Sequence, residues 1–121
     1  MKVASHQPCF LPWAGFWHKF CSVDHFILSA GVQWAKDGYL NRVRHGGGWL
    51  TLPVQVRDQD LIVDAVIAED PRRIAKVWKT VAQQPGKYRH RLTPIIEVLQ
   101  AVKPGYSLVG VNKLLIELIR D

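Results

Sequence analysis

The sequence predicts one α/β domain of the α+β kind, spanning residues 1–121, in which a small mixed β-sheet with an early helix and a β-hairpin precedes a helical C-terminal third. Three observations predict this class. Short apolar runs bounded by turn residues occupy the first two thirds of the chain, helical apolar spacing occupies the last third, and no repeat or low-complexity segment interrupts them. A chain of 121 residues can bury a hydrophobic core without disulfide bonds.

The N-terminal segment predicts a short strand followed by a helix. Residues 2–5 form the strand, which delivers His6 and Gln7 to its carboxyl end. Apolar residues within 13–22 recur with the spacing i, i+3, i+4 and i+7, which is typical of an amphipathic helix. These apolar residues are Trp13, Phe16, Trp17 and Phe20. Residues 24–28 then predict a buried strand.

The middle of the chain predicts an irregular segment and then a hairpin. Residues 31–44 are predicted to form a functional loop that continues into a strand. Residues 44–48, which include three consecutive glycines, are predicted to form a turn. Residues 49–56 and 61–67 are predicted to pair as a β-hairpin around a turn at residues 58–60.

The C-terminal third predicts three helices. Asp70 followed by Pro71, and Thr93 followed by Pro94, are typical of an N-cap and a proline at the first helical position, and Ser107 starts the third helix. The three apolar stripes are Ile74, Val77, Trp78 and Val81; Ile95, Ile96, Leu99 and Val102; and Leu108, Val111, Leu115 and Leu118.

The charge balance favours anionic partners. Sixteen Lys and Arg residues against ten Asp and Glu residues give a net charge of +6 and a pI near 9.6, although many small basic proteins bind nothing in particular. The predicted helix after Pro71 carries a basic face that suits a nucleic-acid backbone or, equally, a solvated surface. This face consists of Arg72, Arg73, Lys76 and Lys79.

Cysteine number and apolar segments predict the cellular location of the protein. Two cysteines are too few for a disulfide framework, the N-terminus lacks the apolar region of a signal peptide, and no apolar run approaches the roughly 20 residues that cross a bilayer. We therefore expect a cytoplasmic protein with no membrane partner.

Residue types that can bind zinc occur at His6, Cys9, His18 and Cys21, with His25 nearby. Their spacing is not that of a zinc ribbon or a zinc finger. We expect no metal and no cofactor.

Familiar catalytic motifs are missing from the sequence, which contains no nucleophile elbow, Walker loop, dinucleotide fingerprint or His-Glu-x-x-His. A different series of separated residues stands out in the N-terminal half. The series is His6-Gln7-Pro8, Leu11-Pro12-Trp13, Gly15-Phe16, His18-Lys19, Val23-Asp24, Phe26, Val32-Gln33, Lys36, Asn41-Arg42, Arg44 and Trp49-Leu50-Thr51-Leu52-Pro53-Val54. This series resembles the WbqC-like protein family, of which the chain would be a short member ending at Asp121.

The resemblance implies a transferase. Such families are associated with O-antigen and other sugar-modification gene sets, and similar proteins occur in phage pathways that attach amino acids to modified thymines in DNA. The implied reaction attaches glycine, or a similar amine, to an activated, pyrophosphorylated 5-hydroxymethyl-pyrimidine in phage DNA, in the cytoplasm of a bacterium or phage-infected host. One alternative acceptor is a nucleotide-linked sugar. A non-enzymatic alternative is a basic nucleic-acid-binding module, because Ser29-Ala30-Gly31 replaces the family's paired acidic residues.

That reaction needs a base, because an ammonium group must lose a proton before its nitrogen attacks carbon. His6 and Asp24 are the predicted catalytic residues, and imidazole exchanges protons near neutral pH. The alternative for His6 is a structural histidine bonded to the backbone.

The leaving group and the substrate carboxylate need cations and hydrogen-bond donors. Arg42, Arg44 and Lys36 form the predicted anion clamp, with a solvated basic face as the alternative, and the two arginines share one face of a predicted strand. Gln33 and Asn41 either orient the substrate or satisfy loop backbone. The other predicted substrate-binding residues are Gln7 and Trp49, and Trp13, Trp34 and Trp49 are candidates for stacking on a base or sugar.

Overall fold

The computed structural model describes residues 1–35, 38–57, 59–84, 86 and 89–120, with backbone alone at residue 89, and it confirms the mixed α/β class. The strands are β1 Val3–His6, β2 His25–Leu28, β3 Arg42–His45, β4 Gly48–Thr51, β5 Val54–Gln55 and β6 Val66–Ile67. The helices are α1 Ala14–Cys21, α2 Pro71–Ala82, α3 Thr93–Ala101 and α4 Leu108–Arg120, with short 3₁₀ turns at Ile62–Asp64 and Arg89–Leu92.

Within these described ranges the strands form three two-stranded sheets rather than one mixed sheet. β1 and β2 are parallel, with His6 opposite Leu28, and α1 makes the connection between them. The predicted strand at residues 24–28 is present but is not buried, because exposed and half-buried residues alternate along it and Ile27 is 53% exposed. The β1–β2 pair is covered by the rest of the protein on one face, so its other face is exposed to solvent.

The predicted hairpin at residues 49–67 is only partly confirmed. β4 pairs with β3, before it in the chain, through a turn at Gly46 and Gly47, whose φ angles of 54° and 82° suit glycine. The strand is then interrupted at Pro53, which has no N–H to donate. In the described part of this hairpin, β5 and β6 are the strands that pair as predicted. Much of the predicted second strand is instead the 3₁₀ turn Ile62–Asp64.

Two of the three predicted helix caps in the C-terminal third, Asp70 and Ser107, are confirmed, and the third, Thr93, is not. Asp70 accepts a hydrogen bond from the Arg73 N–H at 3.2 Å, and the Ser107 hydroxyl accepts one from the Gly110 N–H at 3.2 Å. Thr93 is not a cap, because α3 already begins at that residue and the residue before it offers no side-chain hydrogen bond. None of the helices in the described ranges is both long and apolar enough to cross a membrane.

The hydrophobic core lies between the helices of the C-terminal third and the loops of the N-terminal half. Its fully buried side chains include Phe10, Leu52, Ile62, Leu108 and Leu115. A smaller cluster under α1 contains Cys9, Phe16 and Ile116.

Asn112 on α4 is buried within this core and connects two loops. Its Nδ2 donates to the carbonyls of Pro8 and Leu40, each at 2.8 Å. The helix therefore fixes both the segment that follows β1 and the segment that precedes β3, because each buried carbonyl takes its hydrogen bond from the same amide.

Candidate functional site

The carboxyl ends of β1 and β2 open onto a concave surface, which we call the edge pocket. It has a volume of about 400 Å³ and is lined by Ser5, His6, Gln7, Ser29 and Val32. The Ser29 N–H donates to the His6 carbonyl at 2.9 Å and continues the strand pairing to this edge. Ligands of α/β proteins commonly bind outside the carboxyl ends of parallel strands. His6 and Gln7 lie at the strand end where the sequence predicted them.

The orientation of the His6 ring is fixed by its neighbours. Its Nδ1 lies 2.8 Å from the Gln7 carbonyl, which is the kind of backbone hydrogen bond that the structural alternative for His6 predicts, and its ring meets the Phe16 ring edge-on at 5.2 Å. A carbonyl can only accept a hydrogen bond, so Nδ1 carries the proton in the neutral ring. The lone pair of neutral His6 is therefore on Nε2, which is the nitrogen that can act as a base.

Cys9 lies beneath His6 but is not a thiolate. Its Sγ is 3.5 Å from the Gln7 carbonyl and 3.7 Å from His6 Nδ1. Burial raises the pKa of the Cys9 thiol to about 11. The thiol stays protonated at neutral pH and donates to the Gln7 carbonyl, so the pair is not an activated cysteine nucleophile.

Asp24 is not part of this site. It precedes β2, and because β1 and β2 are parallel, the residue before one strand lies at the amino end of both. Its carboxylate accepts from the Lys2 backbone N–H at 2.7 Å. Asp24 is in register with Lys2, four residues before His6, so at about 3.3 Å per residue the strands separate Asp24 from His6 by roughly 13 Å. The structure thus does not bring the two predicted catalytic residues together.

Lys19 was not predicted, yet it lies beside the strand that enters the pocket. Its Nζ donates to the Ser5 carbonyl at 2.7 Å. The contact depends on how α1 packs across β1, for which the local sequence carries no signal.

The outer face of the β3–β4 hairpin carries a second group of polar and aromatic side chains. Val43 and Leu50 form a cross-strand pair that packs into the core, so Arg42, Arg44 and Trp49 share the opposite face. The guanidinium carbons of Arg42 and Arg44 lie 3.8 Å and 4.6 Å from the centre of the Trp49 ring. The predicted sharing of a face by the two arginines is confirmed, and Arg42 also donates to the Gly38 carbonyl at 3.0 Å.

Three exposed rings form a row along this face, which we call the ring row: Trp13, Tyr39 and Trp49. Ring centres are 6.0 Å apart between Trp13 and Tyr39 and 5.7 Å apart between Tyr39 and Trp49. The three residues are 47%, 39% and 38% exposed, respectively. Gly15 matters for this arrangement, because a Cβ at that position would overlap the Trp13 ring.

The sequence predicted part of the ring row. Trp13 and Trp49 were stacking candidates, but Tyr39 was missed because it lies within the predicted loop without any motif of its own. Trp34, the third candidate, is half-buried and packs against the core.

The other predicted substrate-binding residues are placed differently. Asn41 Nδ2 donates to the Leu52 carbonyl at 3.0 Å, while the Leu52 N–H donates to the Asn41 carbonyl at 2.7 Å. Asn41 therefore stabilises the base of the hairpin, which was its structural alternative. Gln33 is exposed and forms a β-bridge with Leu61. Lys36 lies outside the described residues.

The edge pocket and the ring row meet at one short segment of chain. Phe16 contacts His6, while Trp13, three residues earlier, contacts Tyr39. The Phe10 N–H also donates to the Tyr39 carbonyl at 3.0 Å. The N-terminal turn of α1 and the loop before it thus support both surfaces.

The basic face of α2 is exposed to solvent. Arg73 Nε lies 3.9 Å from the Asp70 carboxylate, and Lys79 Nζ lies 5.6 Å from the centre of the Trp78 ring. Arg72 and Lys76 are exposed on the same helix. Both predicted interpretations of this face, a nucleic-acid contact and a solvated surface, require these side chains to be accessible.

The residue types that bind metal ions do not cluster in the described part of the chain. In the described part of the chain, no group of three or more His, Cys, Asp or Glu residues could hold a metal ion. His18 and Cys21 are exposed on α1.

Comparison with known proteins places the chain in context. The model of the WbqC-like protein family matches residues 7–121. A protein of Mycobacterium tuberculosis (strain ATCC 25618 / H37Rv), called "Uncharacterized protein Rv1507c", is 38% identical over 60 residues, which are 46% of this chain and 26% of the mycobacterial protein. The match therefore spans about a quarter of the length of this curated relative. No solved structure matches the chain.

Proposed function

Because the chain belongs to the WbqC-like protein family, we propose that it is a transferase that attaches glycine, through its amine, to an activated, pyrophosphorylated 5-hydroxymethyl-pyrimidine in phage DNA. The observation that carries this proposal is the edge pocket, in which the Gln7 carbonyl fixes the tautomer of His6. A half-buried imidazole whose neutral form has its lone pair on Nε2 can take the proton that an amine nucleophile must lose.

The reaction has one proton transfer and one displacement. His6 Nε2 takes a proton from the ammonium group of glycine, and the resulting amine nitrogen attacks the methylene carbon. A C–N bond forms, the C–O bond to pyrophosphate breaks, and pyrophosphate leaves with the bonding electrons. The ammonium group of Lys19, held at the Ser5 carbonyl, offsets part of the negative charge that develops on the leaving group.

DNA is the first acceptor that we propose because of the distribution of charge. The chain carries a net charge of +6, and α2 exposes Arg72, Arg73, Lys76 and Lys79 along one helix. A polyanion gains from such an extended basic surface through release of its counterions, whereas a small anion contacts only part of it.

A nucleotide-linked sugar is the second candidate acceptor. The edge pocket, at about 400 Å³, is of the size that encloses a small ligand rather than a polymer. In this case the amine would be transferred to the sugar, and the basic face of α2 would have no part in the reaction.

The experiment that separates these acceptors is mass spectrometry after incubation with isotope-labelled glycine. One reaction contains DNA with pyrophosphorylated 5-hydroxymethyluracil, and the other contains an activated nucleotide sugar. We expect label in a nucleoside released from the DNA. Label in the sugar alone would move the protein to the second candidate. Label in neither, with active controls, would leave the non-enzymatic nucleic-acid-binding alternative or a different amine donor.

A further inference from the structure

We propose that the ring row is a binding surface for unpaired nucleic acid, on which the bases of a single strand stack while Arg44 contacts the phosphates. This inference names the form in which a nucleic-acid acceptor is held and in that respect rests on the proposed function. The binding itself requires no turnover, so it can be tested separately.

The exposure of the three rings is the first argument. Trp13, Tyr39 and Trp49 each leave more than a third of their surface accessible to a partner. They are also neighbours, since both ring separations lie within the range of interacting aromatic pairs. A contiguous row of exposed rings is a surface suited to a partner that also has flat apolar faces.

Charge narrows the choice of partner. The guanidinium group of Arg44 lies 4.6 Å from the Trp49 ring on the exposed face of the hairpin, directly across the strand pair from that residue. A partner that offers both a flat ring and a nearby anion matches this combination. Nucleotides carry a base and a phosphate in each repeating unit, whereas neutral sugars and apolar peptides lack the anion.

The ring spacing indicates how the bases are held. A base inserted between two rings needs about 7 Å between the ring centres, because each stacking contact takes about 3.5 Å. The observed separations of 6.0 Å and 5.7 Å, with tilted rings, are too short for insertion. Bases therefore stack on the outward surfaces of the row, which at Trp49 include the guanidinium group of Arg42, held 3.8 Å from the ring centre.

This geometry selects single strands over duplexes. In a duplex the face of each base is covered by the next base pair, so the rings have nothing to stack on until a base is unpaired or turned out of the helix. Charge alone makes no such distinction, because both forms carry phosphates. A preference for unpaired DNA is thus the signature of the ring row.

The test is a fluorescence anisotropy titration of the purified full chain with labelled twelve-residue oligothymidine and with a duplex of equal length. We expect the single strand to bind at least about tenfold more tightly at the same salt concentration. Trp49→Ala and Tyr39→Ala should each weaken single-strand binding about fivefold to a hundredfold, the range observed when a stacking side chain is removed. Tyr106→Ala is the matched control, since Tyr106 is an exposed tyrosine outside the row, and should change binding less than twofold.

Two further variants separate the loss of a stacking surface from the loss of folding. Trp49→Phe retains an aromatic face and should retain most of the affinity. Gly15→Ala removes no aromatic group but displaces the Trp13 ring from its place, so it should weaken single-strand binding about threefold or more. Thermal denaturation of every variant shows whether the fold is intact.

Equal affinity for single strand and duplex, or unchanged binding in folded Trp49→Ala and Tyr39→Ala proteins, would overturn the inference. This failure is distinguishable from failure of the proposed function. Stacking-dependent binding without glycine transfer leaves the ring row standing and removes the transferase, whereas glycine transfer to DNA without oligothymidine binding does the reverse.

Discussion

The edge pocket and the ring row differ in what they offer a substrate, although the same turn of α1 supports both. The edge pocket contains one half-buried imidazole whose orientation is set by the carbonyl of the next residue. The ring row has exposed rings and a guanidinium group on an outward-facing strand pair. A proton transfer depends on one group in a fixed geometry, while holding a polymer depends on exposed area.

Strand pairing explains this difference. In the parallel pair β1–β2, both strands end at the same edge, so the residues after them converge on a concave surface. In the antiparallel pair β3–β4, side chains alternate between the core and solvent, so the outward residues form an open face. We therefore expect substitutions at the edge to change the rate of the reaction and substitutions on the row to change binding.

The largest effect is expected at His6. His6→Gln keeps a polar side chain of similar reach but cannot accept a proton from an ammonium group, so glycine transfer should fall at least about 100-fold. The rate is measured in a single turnover with isotope-labelled glycine. His18→Gln, which alters an exposed histidine on α1, should retain the wild-type rate. A His6→Gln protein that reacts at the wild-type rate would remove the edge pocket from the mechanism.

A substitution at Asn112 should affect both regions together. Asn112→Ala leaves the buried carbonyls of Pro8 and Leu40 without their donor, which should lower the free energy of unfolding by about 1–3 kcal/mol. Urea denaturation measures this loss. Lys113→Ala, at an exposed neighbouring position, should change it by less than about 0.5 kcal/mol. Equal stability of Asn112→Ala and wild type would mean that α4 does not hold the two loops.

Local signals in the sequence were sufficient for the helices and for the end of β1. Asp70 with Pro71, and Ser107, act within one helical turn, so each could be interpreted without knowing what the helix packs against. His6 could be placed because it directly follows a short segment, residues 2–5, that is apolar in part.

Pairing between distant segments could not be predicted in this way. Residues 49–51 pair with β3 instead of with the later strand, because Gly46 and Gly47 make a tight turn and Pro53 interrupts the strand. Tyr39 and Lys19 reach their sites through tertiary contacts that have no sequence motif. The position of Asp24 depends on the parallel direction of β1 and β2, which the sequence does not state.

The basic face of α2 provides a comparison between charge alone and charge combined with rings. Replacing both Arg72 and Lys76 by alanine should leave the preference for single-stranded over duplex DNA unchanged. It should reduce the salt dependence of oligothymidine binding by about 0.7 in log–log slope for each lost phosphate contact. Anisotropy titrations between about 50 and 200 mM salt measure this slope. An unchanged slope would identify the face as a solvated surface.

The smallest effect concerns the two cysteines. Cys21 is exposed and should react with a thiol reagent in the folded protein, whereas the buried Cys9, with its raised pKa, should react only after unfolding. In a Cys21→Ser variant the folded protein should therefore show almost no reaction, as followed by absorbance at pH 8. Rapid reaction of Cys9 in that variant would show that the space beneath His6 is open to solvent.

The most direct test of the separation between chemistry and binding is a crossed measurement on two variants. The single-turnover rate of glycine transfer at saturating DNA and the Kd for oligothymidine are determined for wild type, His6→Gln and Trp49→Ala. We predict that His6→Gln lowers the rate of glycine transfer and leaves the Kd for oligothymidine unchanged. We predict that Trp49→Ala raises this Kd and leaves the rate at saturating DNA unchanged. Folded variants in which the rate and the Kd change together would contradict the division of roles between the edge pocket and the ring row.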